Sequence, residues 1–186
     1  EKLKRGISLM NFEEKTISKE TIYEGKIINV EKHEVRLPNQ KTAYREIVKH
    51  NGAVAICAVT PENEVILVKQ YRKPLEQTLL EIPAGKLEPG EDRKEAAMRE
   101  LEEETGYRTD RLDLIGEVYG TPGFADEKIS IYFTDSLQKG TVHLDEDEFV
   151  EKVHFSMADV KNAVETHEIE DAKTLIAFQY LLLHYN

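Results

Sequence analysis

"GKLEPGEDRKEAAMRELEEETGY", residues 85–107, passes from a glycine through a Pro-Gly turn into a helix crowded with acid. Both ends of that helix are signalled. Asp92 with Glu95 three residues on resembles a capping box, and Gly106 stands where a left-handed C-terminal cap is wanted. Ala97 and Leu101, four residues apart, share one side and can face a core. At about 100° per residue, Glu100 and Glu104 lie about 40° apart on another face, one turn above the other, with Glu103 beside them. Like charges so placed repel by roughly 0.2–0.5 kcal/mol per i,i+4 pair. A solvated face is the ordinary reading of such a run. The chemical reading is a stack of hard oxygen ligands for Mg²⁺ or Mn²⁺, whose arrival removes the repulsion.

The flanking sequence supplies sheets. Residues 21–50 show broken alternation with a turn signal at Pro38-Asn39 and read as two or three antiparallel strands. "GAVAICAVT" (52–60) is apolar throughout and predicts a strand buried on both faces; "EVILVKQYR" (64–72) and "TLLEIPAG" (78–85) follow. Beyond the acidic helix, "LDLIGEVYG" and "KISIYFTDSL" flank the loop "TPGFADE", and "EFVEKVHF" reads as a further strand. Ser156 and Asp159 cap a helix over 157–167, and "DAKTLIAFQYLLLHY" closes the chain as an amphipathic helix. Strands mixed with helices in the middle and at the end indicate an α+β sandwich. The expected division is an N-terminal extension (1–20), an N-terminal β-sheet region (21–50), to which the family resemblance described below assigns dimerisation, and a main domain (51–186). Met10 could be an initiator, with residues 1–9 an upstream or cloning-derived extension.

The 186 residues suffice for a sizeable core, and 40% hydrophobic with 33% charged residues is ordinary for a globular domain. A net charge of −11 argues against nucleic-acid or anionic-membrane partners. It leaves room for a phosphate-bearing substrate if divalent cations invert the local sign. No apolar run approaches the roughly 20 residues of a membrane span. The single cysteine, Cys57 in "AVAICAV", reads as a small buried hydrophobe, and a chain with no disulfide suits the cytoplasm.

Residues 85–107 fit the 23-residue pattern G-x5-E-x7-R-E-U-x-E-E-x-G-U, with U a bulky apolar residue, through Gly85, Glu91, Arg99, Glu100, Leu101, Glu103, Glu104 and Gly106. Tyr107 departs mildly, since an aliphatic residue is usual there. The stretch resembles the Nudix hydrolase signature. The resemblance implies the Nudix fold, an α/β/α sandwich with a mixed β-sheet. It makes Glu100 and Glu104 metal ligands. Arg99 would pair with Glu103 and hold the carboxylates in register, and Glu91 would orient more than ligate. Gly85 would let the backbone turn tightly and present the carbonyl of Ala84 as a further oxygen ligand. Two or three Mg²⁺ per site (Mn²⁺ as an alternative) would act as Lewis acids and generate hydroxide from bound water.

Pro122, sixteen residues beyond Gly106, looks like the mark of the ADP-ribose pyrophosphatase subfamily. "KQYRKPLEQTLLEIPAG" and "REIVKHNGAVAI" are similar to that subfamily's segments before the box and into the first core strand. The likeness implies Mg²⁺-dependent hydrolysis of ADP-ribose to AMP and ribose 5-phosphate by a cytoplasmic homodimer with a shared active site. Arg72 would contact the adenosine part. Arg45, Glu46 and His50 would line the pocket, Arg45 and Glu46 from the partner subunit, with Lys86 among the substrate contacts. Where the subfamily often stacks adenine on an aromatic residue, "EGKIINV" offers Ile27 and Ile28, with Tyr23 as a substitute. Thr121, Pro122, Gly123 and Glu127 would hold the ribose-phosphate end, although a turn with a satisfied acid explains that loop equally well. In "LDEDEFVEK" (144–152), Glu146 would be the general base and Glu148 the loop's metal ligand, or the reverse. Two alternatives stay open. One is a Nudix pyrophosphatase for another nucleoside diphosphate sugar or dinucleotide. The other is a module that binds ADP-ribose without turnover.

Overall fold

The computed structural model describes residues 11–144 and 149–185, so Glu146 and Glu148 lie outside the described residues. The chain forms two compact units, residues up to 50 with 121–126, and residues 51–120 with 127–186.

The first unit is an antiparallel sheet of β1 (Lys15–Glu24), β2 (Ile28–Arg36) and β3 (Thr42–His50), in the order β1-β2-β3. The Pro38-Asn39 turn lies between β2 and β3, closed by Gln40 N–H on Leu37 O with Gln40 at φ 68°. Segment 121–126 runs along β3, where Val48 N–H donates to Phe124 O and Asp126 N–H to Val48 O. β1 begins at Lys15, so residues 15–20 belong to this sheet rather than to an extension. Every residue of β1 is exposed, and "KTISKETIYE" has no clean alternation because there is no buried face to enforce one.

The second unit comprises β4 (Ala53–Ala58), β5 (Glu64–Arg72), β6 (Gln77–Glu81), β7 (Ala84–Lys86), α1 (Arg93–Thr105), β8 (Tyr107–Arg108), β9 (Asp113–Tyr119), β10 (Lys128–Thr134), β11 (Gln138–Lys139), β12 (Val150–Ser156), α2 (Met157–Glu165) and α3 (Ala172–His184). Its mixed sheet has the order β7-β4-β10-β9, with β4 parallel to β10 and antiparallel to β7. A second sheet has the order β12-β5-β6, and β11 pairs with β8.

Alternation along β4 builds the layers. Val54, Ile56 and Ala58 join one core with Ala96, Ala97 and Leu101 of α1. Ala55 and Cys57 point the other way, into a core with Val160, Ala163, Ala177, Phe178 and Leu181 of α2 and α3. Helices thus cover both faces, giving the expected α/β/α sandwich and explaining why this strand is apolar throughout. Cys57 is fully buried and its thiol is pushed up to about 12 by burial, which leaves it no nucleophilic role.

Candidate active site

The helix α1 starts and stops as its sequence requires. The Asp92 side chain accepts from Lys94 N and Glu95 N at 2.9 and 3.2 Å. Glu95 does not return the bond; the reciprocal box forms instead at α2, between Ser156 and Asp159. Gly106 adopts φ 72° and donates to Glu102 O, and Lys152 Nζ donates to Thr105 O at 2.8 Å, placing a cation on the helix's negative end.

Between those ends α1 presents its acids to β7. Glu104 is only 6% exposed, and its Oε2 accepts from Ala84 N–H at 3.0 Å. A Cβ placed on Gly85 would lie 1.8 Å from Cδ of Glu100. The reason for glycine here is therefore space and not a tight turn, because Gly85 is absent from the positive-φ glycines. Arg99 gathers the remaining acids. Its Nε and Nη2 reach the two oxygens of Glu91 at 3.0 and 3.2 Å, and its Nη1 reaches Glu100 at 2.9 Å and Glu103 at 2.8 Å. The contact with Glu91, followed by those with Glu100 and Glu103, holds the guanidinium far above its ordinary range; Glu91 is in turn held below the usual carboxylate value by Arg99.

Ala84, Gly85, Glu100 and Glu104 thus come together, two carboxylates against a strand peptide with the intervening Cβ omitted. This hard-oxygen set fits Mg²⁺ or Mn²⁺. Among the described residues no three or more His, Cys, Asp or Glu side chains already converge as a closed cage. A site completed from another segment, or by substrate and water, is the usual manner of Mg²⁺ binding.

Arg72, at the end of β5, makes a bidentate pair with Glu81 at 2.6 and 2.7 Å. Glu81 is 2% exposed and is also held by Lys173, which reaches Asp171 at 2.9 Å. Burial alone would push Glu81 up, but Arg72 and Lys173 outweigh it and keep the carboxyl below its usual range. Sequence reasoning missed Glu81. The available signal was one acid in the otherwise apolar "TLLEIP", since a buried acid needs a cationic partner. Lys86 is exposed on β7 with no ion pair among the described residues, and Glu127 is half-buried.

In the first unit Arg45 is held by Glu14, at 2.5 Å from Nη2 and 2.8 Å from Nε. Glu46 lines a groove of ≈ 340 Å³ with Ile22, Val30, Val48 and Phe124 among its walls. Ile27 and Tyr23 are exposed and Ile28 half-buried; the Tyr23 ring covers Gly25, where a Cβ would meet it at 2.5 Å. Thr121 O accepts from Phe124 and Ala125 N–H, so 121–125 is a turn with Pro122 and Gly123 at its exposed tip. The acid tied into this loop is Asp126, which sequence reasoning passed over. It binds Lys49 and accepts from His50 N–H at 2.9 Å.

Residues 49–178 match the NUDIX domain model, and residues 14–48 match the nucleoside diphosphate sugar hydrolase N-terminal domain. The chain belongs to the Nudix family. It is 51% identical to a Nudix relative named ADP-ribose pyrophosphatase from Bacillus subtilis, over 94% of this chain and 96% of that one. It is 48% identical to a protein named methanol dehydrogenase activator from Bacillus methanolicus, over 92% and 94% of the two chains. A solved structure described as an ADP compounds hydrolase shares the Nudix fold at a TM-score of 0.79, with 22% identity and 92% and 96% of the two chains covered.

Proposed function

We propose that this Nudix enzyme hydrolyses the diphosphate of ADP-ribose, giving AMP and ribose 5-phosphate. The observation that carries the reading is the packing of Glu100 and Glu104 against β7 at the peptide of Ala84 and the bare Cα of Gly85. The named relative of 51% identity supports the choice of substrate. Glu100, Glu104 and the Ala84 carbonyl hold Mg²⁺ or Mn²⁺, roughly two or three ions per site with Glu148 as a further ligand. The bound metal supplies Lewis-acid polarisation of the phosphoryl oxygens and a more acidic water.

The chain's own groups do the rest. Arg99 fixes Glu91, Glu100 and Glu103 as one unit, so the ligands need not reorganise when substrate arrives. Glu146 takes the proton of the attacking water as a P–O bond of the bridge breaks; such assistance is typically worth about 10²–10⁴-fold. Arg72 contacts the adenosine side, Lys86 joins the substrate contacts, and Thr121, Pro122, Gly123 and Glu127 hold the ribose-phosphate end. Ile27, Ile28, Glu46 and His50 line the adenine pocket. A homodimer shares these contacts, with Arg45 and Glu46 from the partner. The exposed edge strand β1, carrying Ile17, Ile22 and Tyr23, supports that pairing. The setting is cytoplasmic. Among the described residues no helix is long and apolar enough to cross a membrane.

The test is turnover with Mg²⁺ on ADP-ribose beside other nucleoside diphosphate sugars and dinucleotides. ADP-ribose should lead the panel; a preference of more than about tenfold for another compound, a difference of about 1.4 kcal/mol in transition-state binding, overturns the substrate. In E146Q, turnover should fall while binding of Mg²⁺ and substrate persists.

A further inference from the structure

Glu81 takes no part in the chemistry above, yet this buried carboxylate is held by two cations at once. Arg72 grips both its oxygens in a fork-to-fork pair, and Lys173, itself 10% exposed, closes on Oε2. Asp171 continues the chain from Lys173 and caps α3 by accepting from Thr174 N–H at 2.9 Å. Thr174 Oγ1 then accepts from Ile82 N–H at 2.8 Å. Pro83 O accepts from Ile56 N–H at 2.8 Å, and Ala84 N–H donates to Glu104. Four consecutive residues, 81 to 84, are thus pinned in turn to β5, α3, β4 and α1.

A buried ion pair confers little net stability over a well-packed apolar replacement, so stability alone does not account for four charges gathered here. The set is neutral, two acids against two bases. Arg72 stays 38% exposed, and its Nη1 amino group has no partner among the described residues. The pair with Glu81 fixes the guanidinium plane and hence the direction of that remaining N–H edge. Three residues beyond Glu81, Ala84 N–H donates to Glu104, so the segment that clamps Arg72 also meets a carboxylate of α1.

We infer that Glu81 is a positioning residue: it clamps Arg72 so that the guanidinium's outward edge meets the adenosine side of the substrate, and it ties that edge to the segment that carries the Ala84 peptide. The inference rests on the hydrolase reading, in which Arg72 touches substrate. Preorganised in this way, the arginine loses little freedom on binding.

The experiment compares wild type, E81Q, R72A, the double variant and K173M. E81Q should weaken binding of the α,β-methylene analogue of ADP-ribose about tenfold and raise KM alike, with kcat changed by less than about threefold. The double variant should bind no worse than R72A, because the two residues act as one unit. K173M, which keeps the fork, should melt earlier yet bind like wild type. In the free protein the Arg72 Nε–H should give a slowly exchanging NMR signal that E81Q loses. Unchanged affinity in E81Q, additive losses in the double variant, equal losses in K173M or an unprotected Nε–H in wild type each overturn the inference. If E81Q does not fold, E81D retracts the carboxylate by one methylene without removing its charge and carries the same comparison. A wild type that binds the analogue but leaves ADP-ribose intact would remove the hydrolase reading, while the affinity and NMR comparisons still decide the role of Glu81.

Discussion

Gly85 and Glu100 illustrate how one side chain can be selected by the absence of another. The carboxyl of Glu100 occupies the volume that a methyl group on residue 85 would need. G85A must therefore displace Glu100, which is also tied to Arg99, and cleavage should fall by orders of magnitude with weaker Mg²⁺ affinity; normal kinetics in G85A would show that Glu100 can move freely. The spacing of Glu100, Glu103 and Glu104 was legible because a helix converts sequence offset directly into direction. Glu81 was not, because its cations come from nine positions upstream and 92 downstream, which only the fold brings together. Its protonation makes a separate prediction. Glu81 and Glu91 both have folded values below the ordinary 4.5. Below 4.5 the unfolded chain binds more protons than the folded one, so stability is fully present above that pH and is lost as pH falls through the folded values. Melting temperature should drop steeply on acidification below 4.5, and less steeply in E81Q; parallel profiles would contradict the assignment.

Helix α1 carries its ligands on one side and its anchorage on another. Ala96, Ala97 and Leu101 are fully buried against β4, while Asp92 caps the N-terminus through two backbone N–H groups. D92A should cost about 0.5–2 kcal/mol, and L101A about 2–5 kcal/mol, both read from denaturant unfolding. D92A should act on stability much more than on kcat, since the acids sit two turns further on. Caps and apolar periodicity made this helix readable, as did the uninterrupted apolar run of β4. The start of β1 at Lys15 was hidden because a strand exposed along its whole length leaves no buried positions to read. A reciprocal capping box was expected at Asp92 and Glu95; the Asp92 half forms there, and among the described residues the complete box is at Ser156 and Asp159.

The whole chain combines an N-terminal sheet with a three-layer catalytic sandwich, and each matches its own family model, over residues 14–48 and 49–178. Sedimentation should find a homodimer, and charged replacements on β1, I17K with I22K, should shift it toward monomer; a wild-type monomer at all concentrations would refute the shared site. The decisive measurement is quantitation of AMP and ribose 5-phosphate released from ADP-ribose with Mg²⁺, by wild type and E104Q side by side. Gln at 104 keeps an acceptor for the Ala84 N–H but not the charge, so the fold should survive and turnover should fall by orders of magnitude. The account predicts equal amounts of the two products from wild type and almost none from E104Q. No product from folded wild type, or near-normal release from E104Q, would contradict it.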